Sequence, residues 1–179
     1  MPKKSPNKSL IKGVLSGDSI VSGSKEARDL YSKSLFGEYG NKRVNYSLSE
    51  ALYLVEKNKM EVHRNKKKLN FQDLMDSCKK IDKKILVKYA VYKDLRGKGY
   101  LLKTALKFGA DFRVYDKGQK PGKSHAKWIL YPVSESDELT WYDFSAKNRV
   151  AHSTKKNLLI AVVDSELGIT YYEVSWRKP

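Results

Sequence analysis

The apolar residues of this chain fall in short runs separated by turn-forming and charged residues. Two such runs near the C-terminus, residues 158–163 and 169–176, are joined by residues 164–168, a sequence typical of a hairpin turn. No run approaches the roughly eighteen apolar residues that a membrane-spanning helix needs. The chain is nevertheless 40% apolar, which is enough to form a buried core. We therefore expect a protein of short strands and helices, none of which spans a membrane.

The first half of the chain has the pattern of a small α/β domain. Apolar residues 10–15 and 20–21 flank Ser16–Ser19, which predicts a hairpin. A helix is expected from Ser24 to about Phe36, and a strand over 43–48 followed by a helix with Ser49 as its N-cap. Phe71, Leu74, Met75 and Cys78 have helical spacing, which places Cys78 on a buried face.

The composition changes after Lys84, and we place a domain boundary there. The second half predicts a helix over 85–95, a strand over 112–115, a loop over 116–124, a strand over 125–133 and a helix over 144–154. The expected fold class is α/β (α+β). It comprises a small N-terminal α/β domain, residues 1–84, and a C-terminal mixed β-sheet domain flanked by helices, residues 85–179. The first eight residues are expected to be disordered.

The charge favours a polyanionic partner. The chain has 36 Lys and Arg against 20 Asp and Glu, a net charge of +16. Residues 1–84 carry 19 basic and 10 acidic side chains and residues 85–179 carry 17 and 10, so no single basic tail explains the excess. Nucleic acid is the preferred interpretation; a lysine-rich surface without such a partner is the alternative.

The sequence lacks the residues that several common kinds of site require. A single cysteine, Cys78, excludes an internal disulfide and a thiolate zinc cluster. The carboxylates of the second half lie in loops or beside turns without the clustering that holds Mg²⁺, and no Walker-type loop is present. His125 stands out among three histidines because it directly follows a loop rich in Lys, Gly and Pro, where a phosphate could bind. The residues therefore favour phosphodiester chemistry without a metal or other cofactor.

Three segments carry a resemblance to a known family. Residues 112–115 form a strand ending in Tyr115, residues 124–128 place His125 before a small residue, and residues 149–156 lead to Lys156. This set resembles the signature of the archaeal tRNA-intron (tRNA-splicing) endonucleases of homotetrameric type. The match covers residues 85–179; the first half agrees in length and character without a sharp motif.

The resemblance implies a catalytic triad of Tyr115, His125 and Lys156. Tyr115 would remove the proton of the attacking 2′-hydroxyl or orient that hydroxyl, and His125 would protonate the departing 5′ oxygen. Lys156 would stabilise the negative charge on phosphorus. Lys155 is an alternative for that last role, but Lys156 directly precedes the residue that leads into the apolar strand, as the family lysine does.

The resemblance also implies the partners. The substrate would be precursor tRNA with a bulge–helix–bulge RNA, cut to a 2′,3′-cyclic phosphate and a 5′-hydroxyl in the cytoplasm. Arg149 would stack on a bulged base, together with Trp176 or Arg177. The acidic hairpin with Asp164 and Glu166 would contact a neighbouring subunit of a homotetramer.

Two other interpretations remain open at this stage. The chain could be a non-catalytic scaffold subunit of such an enzyme, although a scaffold has no need of all three triad residues. It could also be a basic RNA-binding module without chemistry, for which the charge alone would suffice.

Overall fold

The computed structural model describes residues 10–177, so the prediction for the first eight residues lies outside the described part. The chain divides into two compact units, with the division between Ile85 and Leu86. Each unit mixes helices with one β-sheet, so the predicted α+β fold class is confirmed. No helix within residues 10–177 is both long and apolar enough to cross a membrane.

The first unit is built around a six-stranded sheet of order β3-β4-β2-β1-β5-β6. Its elements are β1 (Ile11–Ser16), β2 (Ser19–Ser22), α1 (Lys25–Ser34), β3 (Glu38–Gly40), β4 (Arg43–Ser47), α2 (Leu48–Glu56), β5 (Met60–Arg64), β6 (Lys67–Leu69) and α3 (Phe71–Ile81). β1 and β2 form the predicted hairpin, and Ser24 caps α1 by accepting a hydrogen bond from the Ala27 N–H at 3.2 Å.

The predicted N-cap of α2 is wrong by two residues. Ser47, not Ser49, caps this helix, because Ser47 and Glu50 form a capping box. The Ser47 Oγ accepts from the Glu50 N–H at 3.3 Å, and the Glu50 carboxylate accepts from the Ser47 N–H at 3.0 Å. Glu50 is the decisive signal, since a Ser-x-x-Glu pattern fixes the first residue of a helix. Ser49 lies inside the helix and is buried.

The second unit contains a five-stranded sheet of order β11-β10-β9-β8-β7. Its elements are α4 (Ile85–Gly97), β7 (Leu101–Ala105), β8 (Ala110–Tyr115), β9 (Trp128–Ser134), α5 (Trp141–Ser153), β10 (Asn157–Val163) and β11 (Ile169–Val174). β9 and β10 are parallel and are joined by α5, whereas the other neighbours are antiparallel. β7 is not among the strands predicted from the sequence.

The two faces of this sheet are covered by different helices. On one face Ile129 and Leu158 pack with Ala151 of α5 in an apolar core. On the other face Phe112 contacts Tyr92 of α4, with ring centroids 5.8 Å apart. Because side chains alternate along a strand, consecutive residues of β8 face different helices, and this alternation selects the side chains that reach the site described next.

Candidate active site

Three strand ends meet at one edge of the second sheet. β8 ends at Tyr115, and β9, antiparallel to it, begins there, with Trp128 in register with Val114. β10 is parallel to β9 and so begins at the same edge, with Asn157 in register with Trp128. The topology therefore brings the last residue of β8 and the residues just before β9 and β10 together.

These residues surround one cavity of about 410 Å³. Tyr115, His125 and Lys156, the three predicted triad residues, all line it. The rest of its wall consists of Phe108, Arg113, Ala126 and the loop residues Pro121, Gly122, Lys123 and Ser124. Side chains that are distant in sequence are thus gathered around a space large enough for a phosphodiester linkage and part of its sugars.

Tyr115 is only 4% exposed, whereas His125 is exposed. His125 does not start a strand, as the sequence predicted, because β9 begins three residues later at Trp128. The loop before it is closed on itself: the Lys120 N–H donates to the Ser124 Oγ at 3.1 Å and the Ser124 N–H donates to the Lys120 carbonyl at 3.0 Å. The buried Ala126 follows His125 directly, so the backbone of His125 is held between the closed loop and the core.

Lys156 is positioned by the end of α5. The Lys156 N–H donates to the Ala151 carbonyl and the Lys155 N–H to the His152 carbonyl, both at 2.9 Å. This pair of bonds is a Schellman motif, which requires a left-handed residue after the helix; that residue is Lys155, with φ of 56°. Lys155 is exposed and does not line the cavity, so of the two lysines only Lys156 lies at the site.

The ammonium group of Lys156 is partly buried, and its positive charge is repelled by a neighbouring cation. Its Nζ donates to the Thr154 carbonyl at 2.6 Å and lies 6.0 Å from the centre of the Phe108 ring. Burial lowers the pKa of Lys156, and the nearby Arg113 guanidinium lowers it further. Both effects mean that the cationic form would gain from an anionic partner.

The cavity as a whole is basic. Its lining includes Arg113, Lys123 and Lys156, and no carboxylate among the described residues. Arg113 is not among the residues predicted from the sequence, although its position gives a signal: it stands two residues before Tyr115, so both side chains lie on the same face of β8. Within residues 10–177 no group of three His, Cys, Asp or Glu side chains is close enough together to bind a metal.

Comparison with known proteins identifies the family. Residues 85–171 match the sequence model of the family described as tRNA intron endonuclease, catalytic C-terminal domain. Residues 11–75 match its companion, tRNA intron endonuclease, N-terminal domain. The chain belongs to the tRNA intron endonuclease family. It is an endoribonuclease, and the predicted resemblance is confirmed.

Archaeal relatives of this tRNA intron endonuclease match between 74% and 96% of the chain. A tRNA-splicing endonuclease of Thermococcus kodakarensis is 42% identical over 92% of this chain and 96% of its own length. One of Pyrococcus furiosus is 42% identical over 96% of this chain and 99% of its own length. A tRNA-splicing endonuclease of Nanoarchaeum equitans is 49% identical over 74% of this chain and 88% of its own length.

The predicted RNA-binding residues of the endonuclease lie outside the cavity lining. Arg149 is exposed on α5, and Trp176, 51% exposed, follows β11. The Trp176 ring contacts His152, with centroids 4.3 Å apart. His152 is three residues after Arg149, so these two side chains are neighbours on the helix. Arg149 and Trp176 are therefore both neighbours of His152, and Arg177 is exposed as well.

The acidic hairpin of the endonuclease connects β10 to β11. The Asp164 carboxylate accepts hydrogen bonds from the N–H groups of Glu166 at 2.9 Å and Gly168 at 2.7 Å. The Ser165 N–H donates to the Glu135 carboxylate at 2.8 Å. Asp164 thus stabilises the turn, while Glu166 is exposed. Since β10 begins at the cavity edge, the hairpin at its far end lies at the opposite edge of the sheet.

Proposed function

We propose that this endonuclease excises introns from precursor tRNA by cutting a bulge–helix–bulge RNA at both intron boundaries. The reaction needs no metal and leaves a 2′,3′-cyclic phosphate and a 5′-hydroxyl. The single observation that carries this proposal is the common cavity of Tyr115, His125 and Lys156, whose wall is cationic and, among the described residues, free of carboxylates. Such a wall favours an anionic linkage over a hydrated divalent cation.

The chemistry is an internal transesterification. The 2′ oxygen forms a bond to the adjacent phosphorus while the bond from phosphorus to the 5′ oxygen breaks. Tyr115 acts on the 2′-hydroxyl and accepts its proton, and His125 donates a proton to the departing 5′ oxygen. Lys156 stabilises the additional negative charge on the non-bridging oxygens. Burial and Arg113 both lower the pKa of Lys156, and the negative charge of a bound phosphate would oppose this shift and stabilise the protonated form.

Cleavage of a bulge–helix–bulge RNA in excess EDTA tests this proposal. Persistent cleavage with cyclic phosphate ends is expected. Loss of cleavage in EDTA would indicate a metal-dependent nuclease, and binding without any cleavage would indicate an RNA-binding module or a scaffold subunit.

Two matched pairs of variants test the assigned roles. His125→Ala is expected to retain RNA affinity and to lose about 10²-fold or more in single-turnover rate, whereas His63→Ala in the first unit retains both. Lys156→Met is expected to lose a similar factor, whereas Lys155→Met does not. Equal loss of affinity in the two histidine variants would contradict the proposed acid.

We infer that Arg149 and Trp176 hold a bulged base between a guanidinium and an indole. The exposure of both side chains and their shared neighbour His152 support this arrangement. Stacking of this kind contributes about 1–3 kcal/mol per base. Arg149→Ala should therefore weaken RNA binding by about 10-fold or more while the rate at saturating enzyme changes little. Arg177 is the alternative partner, so Trp176→Ala and Arg177→Ala compared side by side identify which one completes the clamp.

We propose further that the enzyme is a homotetramer and that its first unit serves assembly. The acidic hairpin lies at the sheet edge opposite the cavity of its own chain, so a basic groove that receives it has to come from another copy. Glu166→Lys is the appropriate perturbation, because the Glu166 side chain takes no part in the hydrogen bonds of the turn. Light scattering is expected to show a smaller assembly for Glu166→Lys. An unchanged tetramer would remove the hairpin from the interface.

A further inference from the structure

We propose that Arg113 is a second phosphate-binding cation of the cavity, which contacts a non-bridging oxygen of the scissile phosphate beside Lys156 and is therefore a catalytic residue of the transesterification. This inference rests on the proposed function and extends it to a residue outside the triad. It concerns a cation inside a β-strand, which only its two-residue spacing from Tyr115 links to the site in the sequence.

The position of Arg113 is fixed by the strand. It is two residues before Tyr115 on β8, so both side chains lie on the same face of the sheet, and both line the cavity. In register with it on β9 is Ile129, a fully buried member of the core beneath α5. The aliphatic part of Arg113 therefore lies beside an apolar row, with the cavity as the remaining space for a charged group.

Arg113 has no anionic partner among the described residues. Its Nε atom is buried and has no hydrogen-bond partner. In register with it on β7 is Lys103, a like charge that cannot accept a hydrogen bond. Asp111, two residues earlier, forms an ion pair with Lys88 at 2.8 Å. A partly buried guanidinium without a counter-charge is costly, and a substrate phosphate would supply the missing charge.

The arrangement also matches the charge that develops during the reaction. Arg113 and Lys156 line the same cavity, and the Arg113 guanidinium is close enough to lower the pKa of Lys156. The phosphate carries one negative charge in the ground state and gains more as the 2′ oxygen attacks. A guanidinium can donate two parallel hydrogen bonds to two oxygens of such a group, which an ammonium cannot. Two cations therefore stabilise the transition state more than the bound substrate.

Cleavage rates give the first test. Single-turnover cleavage at saturating enzyme is measured for wild type, Arg113→Gln, Arg113→Lys and the control Lys107→Gln. Arg113→Gln is expected to lose about 10²–10³-fold, the range typical of removing one donor to a developing oxyanion. Arg113→Lys, which keeps the charge without the planar fork, is expected to recover part of that loss. Lys107 is exposed and outside the cavity lining, so its variant removes the same charge with less than a threefold effect.

A binding cycle gives the second test, with a readout that a purely structural role would not change. The ligand is a bulge–helix–bulge RNA with 2′-deoxyribose at the cleavage nucleotide, which cannot be cut. Its scissile linkage is either the natural phosphate or a neutral methylphosphonate. Wild type is expected to bind the neutral RNA at least 10-fold more weakly than the charged one. Arg113→Gln is expected to show a difference at least threefold smaller than that of wild type, because one of the two cations that contact the phosphate is missing while Lys156 remains.

The outcomes separate the two proposals. If wild type does not cleave, the proposed function fails whatever Arg113 does. If wild type cleaves and Arg113→Gln cleaves within threefold of it, or shows the full discrimination against methylphosphonate, the inference about Arg113 is overturned. If Arg113→Gln does not fold, Arg113→Lys decides: a rate at least 10-fold below wild type with unchanged stability supports the inference, and a wild-type rate overturns it.

Discussion

Lys155 is held in a conformation that a glycine would adopt more easily. It occupies the left-handed position of the Schellman motif at the end of α5, with φ of 56°, and its side chain is exposed. For a residue with a Cβ this conformation costs about 1–2 kcal/mol. Glycine removes that cost but raises the conformational entropy of the unfolded chain, which offsets about 0.4–1 kcal/mol. Lys155→Gly is therefore expected to stabilise the second unit by about 0.5–1 kcal/mol.

Tryptophan fluorescence during urea unfolding measures this change selectively. The chain has three tryptophans, Trp128, Trp141 and Trp176, and all three lie in the second unit. Lys155→Ala is the matched control, because it removes the charge and keeps the strained backbone. The free energy of unfolding should rise for glycine and not for alanine. Equal values for both variants would refute the assignment of strain to Lys155, and a loss of RNA cleavage in Lys155→Gly would show that the strain serves Lys156.

Two further predictions concern the first unit. Burial and the Asp82 carboxylate raise the pKa of the Cys78 thiol to about 12, so a thiol reagent at pH 8 should leave the folded protein unmodified and label it fully in denaturant. Labelling of the folded protein within minutes would contradict the burial of this thiol. The first unit should also lose stability as the pH rises from about 8.5, where the thiol of the unfolded chain ionises, towards 12, where the thiol of the folded chain ionises. Gly37 has φ of 73°, and a Cβ there would lie 2.5 Å from Val44 Cγ1 and 2.8 Å from the Asn45 carbonyl oxygen. Gly37→Ala should therefore cost at least about 2 kcal/mol, measured by circular dichroism during urea unfolding, and wild-type stability would show that β4 moves freely.

Turn residues and helix-period patterns carried much of the fold prediction. Gly17 and Asp18 between two apolar runs gave the β1–β2 hairpin, and the spacing of four residues including Cys78 gave the buried face of α3. β7 was missed because a buried charge, Lys103 at 6% exposed, and a register shift at Thr104 and Ala105 interrupt its pattern. A strand with these two irregularities has no clear period in the sequence.

The site was predicted from the family signature and not from periodicity. Residues 125–128 alternate between exposed and buried as a strand does, which explains why His125 was assigned to β9. The alternation shows which side chains face the core, but the strand pairing of β9 with β8 begins only at Trp128. Arg113 was missed for a related reason. A charged residue in a strand is usually interpreted as solvent-facing, and only the register with Ile129 shows that this one lies beside the core.

The three proposed catalytic groups depend on different parts of the fold. Tyr115 belongs to a strand and Lys156 to a helix end, whereas His125 depends on the loop closed by Ser124, whose Oγ accepts from the Lys120 N–H and donates to the Lys120 carbonyl at 3.0 Å. Ser124→Ala removes both bonds. It should therefore loosen the proposed general acid without moving the other two groups.

We expect Ser124→Ala to lower the cleavage rate by about 10- to 10²-fold, the cost of a small misplacement of a reacting group, with RNA affinity retained. Ser32→Ala, which removes a comparable exposed hydroxyl bond to the Arg28 carbonyl at 3.0 Å in the first unit, is the control. A substrate with sulfur in place of the departing 5′ oxygen distinguishes the mechanism, because a thiolate leaves without protonation. This substrate should restore the rate of Ser124→Ala, and of His125→Ala, to near the wild-type value. If the sulfur substrate leaves either variant as slow as before, His125 does not protonate the leaving group.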